Sequence, residues 1–243
     1  MAETDRRPRR VLYGRRQGRP LRPGRRELLA RLLPALRIEA TPGLDPSTLF
    51  QPPAAAVWLE LGFGGGEHLA VAAKDHPGIG FLGAEPFLNG IASLLARIER
   101  ERLGNIRIFP EDGRILIEAL AEASIARCFI LFPDPWPKLR HHKRRLVNPK
   151  TAGELARIMS DGARLLLASD DADYVAAMRE TMTGHGLWQG VRQVPEDTVL
   201  RPPGWIPTRY EAKALAKGLS PHYLLFERMP RGIKPLMDAG KSL

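Results

Sequence analysis

A chain of 243 residues, 44% hydrophobic and 26% charged, is long enough for one sizeable core and has the composition of a globular protein in water. No apolar run approaches bilayer-spanning length, and no apolar core follows the arginine-rich start, which excludes a transmembrane helix and argues against a secretory signal. The formal net charge of +10 is concentrated: residues 1–26 hold ten arginines against Glu3 and Asp5, giving +8 and leaving +2 for the other 217 residues.

Residues 1–26 carry too much arginine, proline and glycine to pack and are expected to form a disordered basic arm. Such an arm attracts phosphates in a salt-dependent way without reading sequence. Taken alone it fits a solubility tail equally well. Leucines at helical spacing predict a short helix over 27–36, and a proline-rich connector over 42–53 marks the start of a larger body at 54–229, followed by a flexible tail at 230–243. In that body, strands at 57–61, 79–84, 106–109, 128–132 and 164–168 alternate with helices at 67–75, 88–103, 115–123, 149–160 and 172–182. Alternation of this kind means βαβ units and a parallel sheet. Beyond Trp188 the pattern changes to a strand at 188–194, a Pro/Gly loop at 201–207, a helix at 209–217 and a last strand at 222–227, the two strands suggesting an antiparallel edge. Cys128, the single cysteine, lies in an apolar run, so no internal disulfide can form and a cysteine-based metal site is not expected; a reducing cytoplasm fits.

Ligands of an open parallel sheet sit beyond the carboxyl ends of its strands. Those ends read Glu60 with Gly62, Gly64 and Gly66, then Glu85, Asp112, Asp134 and Asp170. One acid at such a place is usually a helix cap or turn residue; five in succession are hard to explain as capping. A dinucleotide fingerprint wants a third glycine where Glu67 stands, and a carboxylate there would repel a pyrophosphate. A carboxylate-rich rim suits a cationic ligand without phosphates. S-adenosylmethionine fits, with its sulfonium, its ammonium and a ribose diol for an acceptor such as Glu85.

Residues 129–145, FILFPDPWPKLRHHKRR, concentrate the chemistry. Pro133 and Pro135 bracket Asp134 and deny the preceding strand further ladder bonds. Trp136 follows, then five cations and two histidines with no acid among them. A carboxylate and an indole beside a dense basic patch suggest a purine held over nucleic acid. The bland readings are a turn acid for Asp134 and a core or lid aromatic for Trp136. Pro-Asp-Pro-Trp differs from the Asp/Asn-Pro-Pro-aromatic loop of amino-group methyltransferases, so that chemistry does not transfer. Thr208 and Glu211 have the spacing of a helix-capping box, which spacing alone ranks first. No histidine pattern suits a metal, and no Ser/His/Asp or Cys/His set is apparent.

With these pieces lined up, the chain resembles the bacterial tRNA (guanine-N7)-methyltransferases over residues 13–228. The resemblance rests on Arg15-Arg16-x-Gly18-Arg19, Glu60-x-Gly62-x-Gly64, Gly83-x-Glu85, Asp112, the FPDPWPKLRHHKRR run and Thr208-x-Tyr210-Glu211. It implies a Rossmann-like α/β class I methyltransferase fold, a seven-stranded, mostly parallel sheet with helices on both faces and an antiparallel last strand. It also implies S-adenosylmethionine as cofactor and methylation of guanine 46 in the tRNA variable loop. Cofactor contacts would be Glu60, Gly62, Gly64, Glu85, Asp112 and Asp134, with Asp134 also the catalytic acid group. Lys138, Asp170, Thr208, Arg209, Tyr210 and Glu211 would meet the substrate, with Asp170 or Glu211 reading the guanine edge. Arg140, His141, His142, Lys143, Arg144 and Arg145 would meet the RNA. Gly113 departs from the pattern, which has alanine or a similar residue beside the adenine. The expected partner is tRNA, with no membrane and no metal, in a cytoplasmic protein that is a monomer ahead of a homodimer. Competing readings are a nicotinamide oxidoreductase, opposed by Glu67; a non-catalytic RNA-binding module, opposed by the row of rim acids; and a methyltransferase for another RNA base or for protein.

Overall fold

Proline and leucine spacing give α1 (Pro23–Arg31) and α2 (Leu33–Leu36) in the computed structural model, which describes residues 16–191 and 204–232. The body then runs β1 (Val57–Leu61), α3 (Glu67–Asp75), β2 (Gly80–Ala84), α4 (Leu88–Glu101), β3 (Ile106–Phe109), α5 (Gly113–Ala119) and β4 (Ile125–Leu131). It continues with α6 (Pro149–Ile158), β5 (Met159–Ser169), α7 (Ala172–Gly184), β6 (Trp188–Gly190), α8 (Arg209–Ala216) and β7 (His222–Arg228). The strands form one seven-stranded sheet in the order β3-β2-β1-β4-β5-β7-β6. The pairs from β3 through β5 are parallel, whereas β7 runs antiparallel to both β5 and β6. The strand order reverses at β1, between β2 and β4, and that switch point opens a crevice at the carboxyl ends.

Alternation along the strands sends side chains to two helical layers. Val57, Leu59 and Leu61 of β1 join Cys128 and Ile130 of β4 in a core with α5, α6 and α7, where Tyr174 and Leu155 are fully buried. Phe81, Ile106 and Ile108 face the opposite way and pack with α1, α3 and α4 through Leu28, Leu69, Ile91 and Leu94. Phe129, Leu131 and Tyr223 extend that second face toward Trp205. The helices therefore cover both faces, as the alternating pattern predicts.

Several expectations are corrected. The helix predicted at 27–36 begins earlier, because Pro23 suits the first helical turn, and breaks at Leu32, because Pro34 has no N–H to continue the ladder. The expected disordered arm is ordered over 16–26. The Leu88 N–H donates to the Arg16 carbonyl at 2.9 Å, and Asn89 bridges the Gly18 N–H and the Arg19 carbonyl at 2.8 Å each. Residues 1–15 lie outside the described residues, as do 192–194 of the strand predicted at 188–194 and 201–203 of the Pro/Gly loop. The strand predicted at 164–168 is β5, which starts at Met159 directly after α6. The tail predicted from 230 is anchored at Arg231, whose N–H reaches Asp161 at 2.9 Å and whose guanidinium reaches Glu122 at 3.0 Å and the Arg157 carbonyl at 2.7 Å; residues 233–243 lie outside the described residues. Among the described residues no helix is long and apolar enough to cross a membrane, and no group of His, Cys, Asp and Glu has a metal-holding arrangement.

Candidate active site

The segments leaving β1, β2, β3 and β4 enclose a cleft of about 610 Å³, within the usual range for a small-molecule site. The loop after β1 turns on glycines: Gly62, Gly64 and Gly66 have φ of 78°, 55° and 73°, a region where a Cβ is costly. Turning this way aims the Gly64 N–H at Glu85, whose Oε2 accepts it at 2.8 Å while Oε1 accepts the Phe87 N–H at 3.0 Å. Burial raises the Glu85 pKa. The two backbone N–H groups pull it down, the Asp134 carboxylate raises it, and Arg209 lowers it, in decreasing order of weight. Asp112 caps α5 by accepting the Arg114 N–H at 3.0 Å, and the Arg114 guanidinium forks its carboxylate at 2.9 and 3.0 Å. Gly113 lies against the β1 and β2 ends, where a Cβ would come within 2.8 Å of Leu61 Cδ2 and 3.2 Å of Ala84 Cβ.

The loop after β4 carries Asp134, exposed at the cleft. Phe132 and Trp136, either side of Pro133-Asp134-Pro135, have φ of 52° and 48°. Two bulky residues in the left-handed region within five positions mark stored backbone strain, which persists only where surrounding structure enforces it. Trp136 lines the cleft with the Arg144 guanidinium 5.0 Å from its ring centroid. Across the cleft, Tyr210 at the start of α8 lies over the glycine loop, so that a Cβ on Gly64 would meet its ring at 2.8 Å. Arg209 sits 4.9 Å from the Tyr210 ring centroid and bonds its hydroxyl at 3.0 Å.

Of the expected cofactor contacts, Gly62, Gly64, Glu85, Asp112 and Asp134 line the cleft together with Tyr210. Glu60 does not. It is 3% exposed, and its Oε2 bonds His68 Nδ1 at 2.7 Å. The strand period turns its side chain away from the rim face carrying Leu61. The pair joins β1 to α3 across the glycine loop and so braces that turn. Glu211, expected as one of two readers of the guanine edge, also lies inside. It is 1% exposed, with Oε1 accepting from Tyr223 at 2.6 Å and Oε2 from Trp205 Nε1 at 2.7 Å. Thr208 and Glu211 form the capping box that their spacing predicts. Together they fix the start of α8, and so Tyr210, over the cleft.

Lys138, Asp170, Thr208 and Arg209 are not among the cleft-lining residues. Asp170 is half-buried just past β5, and its neighbour Asp171 caps α7. Leu139–Arg144 forms a 3₁₀ segment. Lys138, Arg140 and Lys143 are exposed, His141, His142 and Arg144 half-buried, and Arg145 buried. Desolvation and then the surrounding cations, Arg144 foremost, hold His141 below its ordinary pKa. Sequence reasoning missed Arg114 and His68, whose roles come from which strand end and helix they meet. Only Arg114 had a local signal, lying two residues after an N-cap acid.

A methyltransferase family model, described as "Putative methyltransferase", matches residues 54–224, the span from the connector to β7. The chain is 45% identical over 228 residues to a tRNA (guanine-N(7)-)-methyltransferase of Rhodospirillum rubrum, covering 92% of this chain and 89% of that one. It is 44% identical over 223 residues to the protein of the same name from Paramagnetospirillum magneticum, covering 90% and 93%. A solved 16S rRNA methyltransferase, KamB, superposes with a TM-score of 0.54 at 15% identity over 73% of this chain and 89% of that one, a likeness of fold. Relatives this similar run the length of the sheet and its rim loops, and the chain belongs to the tRNA (guanine-N(7)-)-methyltransferase family.

Proposed function

We propose that the protein transfers a methyl group from S-adenosylmethionine to N7 of guanine 46 in the variable loop of tRNA. The observation that carries the reading is the switch-point cleft, where Glu85 and Asp134 face one small-molecule volume beside a basic 3₁₀ segment. The donor set suits this cofactor. The Asp134 carboxylate is close enough to disfavour the charge of Glu85, and such a pair favours a cation between them. Glu85 keeps free lone pairs for a ribose diol after accepting two backbone N–H groups. Glu85, Asp112 and the turn at Gly62 and Gly64 would hold the cofactor. Bound there, S-adenosylmethionine supplies a sulfonium methyl carbon that bonds to guanine N7 as its bond to sulfur breaks and the electron pair returns to sulfur.

Guanine N7 offers a lone pair, so no residue need remove a proton first. The protein's work is to place the base in line, chiefly a positioning task. Positive charge passes from the cofactor to the purine, and the Asp134 carboxylate at the cleft offsets it throughout. Trp136 and Tyr210 line the cleft as stacking faces for a base drawn out of the tRNA core, each with an arginine already over its ring. With Glu211 1% exposed beneath Trp205 and Tyr223, Asp170 is the acid better placed to accept the guanine N1–H and N2–H. Lys138, Arg140, Lys143 and Arg144 meet phosphates.

The test is methylation of unmodified tRNA with labelled S-adenosylmethionine, followed by mapping of the modified nucleoside. The expected product is 7-methylguanosine at position 46; a different base or position sinks the reading. Asp134→Ala should bind tRNA with unchanged affinity and lose methyl transfer about a hundredfold or more. A near wild-type rate in that variant would remove Asp134 from the chemistry.

A further inference from the structure

One cation of the basic run points inward. Arg145 is 5% exposed, unlike Arg140 and Lys143. Its Nε donates to the Pro135 carbonyl at 2.8 Å, and its terminal nitrogen bonds the Asp173 carboxylate in the first turn of α7. Its guanidinium carbon lies 4.8 Å from the Tyr174 ring centroid, and the fully buried Tyr174 accepts the Val147 N–H through its hydroxyl at 3.1 Å. Asn148, the cap of α6, donates to the Arg145 carbonyl at 3.0 Å.

The loop that receives this guanidinium is hard to hold otherwise. Pro133 and Pro135 have no N–H to donate, which leaves this loop short of backbone donors and puts more of its hold on carbonyls and side chains. Phe132 and Trp136 sit in left-handed conformations that need enforcement from outside. We propose that Arg145, anchored by Asp173 and Tyr174, is a positioning residue that grips Pro135 from beneath and fixes Asp134 at the cleft, and that it is not a phosphate contact. The proposal rests on the role assigned to Asp134 above. A planar guanidinium reaches a carbonyl and a carboxylate in different directions at once, which a lysine ammonium on its flexible stem does not reproduce. A side chain this buried meets RNA only if its pair with Asp173 opens.

The experiment compares Arg145→Ala, Arg145→Lys and Asp173→Asn with Arg144→Ala. Two quantities are read with unmodified tRNA: the slope of log Kd against log salt, and kcat at saturating tRNA and S-adenosylmethionine. Arg144→Ala is expected to reduce the slope by about 0.7–0.9, one phosphate contact. Arg145→Ala should leave the slope unchanged and lower kcat about a hundredfold, the scale of a 1 Å misplacement. Arg145→Lys, which keeps the charge, should stay at least tenfold slow, and Asp173→Asn should lose several-fold, both with wild-type slopes. A slope reduced by one contact in Arg145→Ala, with kcat restored at saturating tRNA or rescued by lysine, makes Arg145 an RNA contact and overturns the proposal; wild-type values for both quantities also overturn it. Should the alanine variant fail to fold, as seen by circular dichroism, the lysine and Asp173 variants decide. Failure of the wild-type protein to form 7-methylguanosine would instead strike the proposed function, independently of these ratios.

Discussion

Glu85 shows how one side chain couples the sheet to the cleft. Both of its oxygens are occupied by backbone N–H groups that only the turn at Gly64 and the entry to α4 can supply, yet burial outweighs those bonds and raises its pKa. The sign for stability follows. A carboxyl with a folded pKa above its unfolded one binds more protons when folded, so its contribution is present at low pH and is lost as pH rises through the folded pKa. Binding of a ribose diol, as proposed, has the opposite sign, because only the carboxylate keeps a free lone pair on each oxygen beside those bonds. S-adenosylmethionine affinity, measured by calorimetry, should therefore weaken as pH falls through a value above the ordinary carboxylate pKa of 4.5. Glu85→Gln should bind more weakly at neutral pH and flatten that acid limb. A wild-type limb that survives in the glutamine variant would assign it to another group.

At the same scale, residue type and spacing were enough to place Glu85, Asp112 and Asp134 at the cleft, because each lies within three residues of a strand end. They did not distinguish Glu60 from its neighbours. A strand alternates its faces, and residue 60 falls on the face that meets His68, in the first turn of α3 just after the glycine loop. The burial of Glu211 and Arg145 was hidden for a related reason. The tetrad at 208–211 and the basic run read as surface chemistry, whereas Trp205, Tyr223 and Asp173 pull one member of each inward, and those partners lie at distances along the chain that local pattern does not report.

Between elements, the tightest constraint is where α4 meets the glycine loop. A Cβ on Gly90 would lie 2.0 Å from the Gly64 carbonyl oxygen, a backbone atom that cannot swing aside. Gly90→Ala should push α4 off the loop, costing about 1–3 kcal/mol of stability by denaturant unfolding. S-adenosylmethionine affinity should drop with it, because the displaced backbone carries the Gly64 N–H that holds Glu85. Gly104 has nothing within 4 Å of its would-be Cβ and an ordinary φ. Gly104→Ala should therefore stay within about 0.5 kcal/mol of wild type. Equal losses in both variants would mean that helix and loop geometry at the cleft is more tolerant than the contact distances require. The elements themselves were legible from period and proline placement, and their order foretold the parallel sheet. The early start of α1 and the packing of 16–26 on α4 were not, because the partners there are one asparagine and backbone groups, which leave no apolar period to read.

For the whole molecule, the distribution of charge divides attraction from stability. Residues 1–15 carry five arginines against Glu3 and Asp5, a net +3, whereas residues 16–31 dock on α4 through Leu28 and backbone bonds to Asn89 and Leu88. Two truncations separate these contributions. Removing residues 1–15 should leave the melting temperature unchanged and flatten the salt dependence of tRNA binding, by about 0.7–0.9 for each arginine that meets a phosphate. Removing residues 1–31 should flatten it further and also lower the melting temperature by several degrees, since the α4 face that covers Leu28 would be laid open to water. Methyl transfer at saturating tRNA should survive the shorter cut, because the cleft is lined by residues from Leu61 onward. A salt slope unchanged by the shorter truncation would show that the arm's charge plays no part in holding RNA and that the attraction comes from the 3₁₀ segment beside the cleft. A fall in kcat with that same truncation, at saturating tRNA, would mean that the arm positions substrate as well as attracting it.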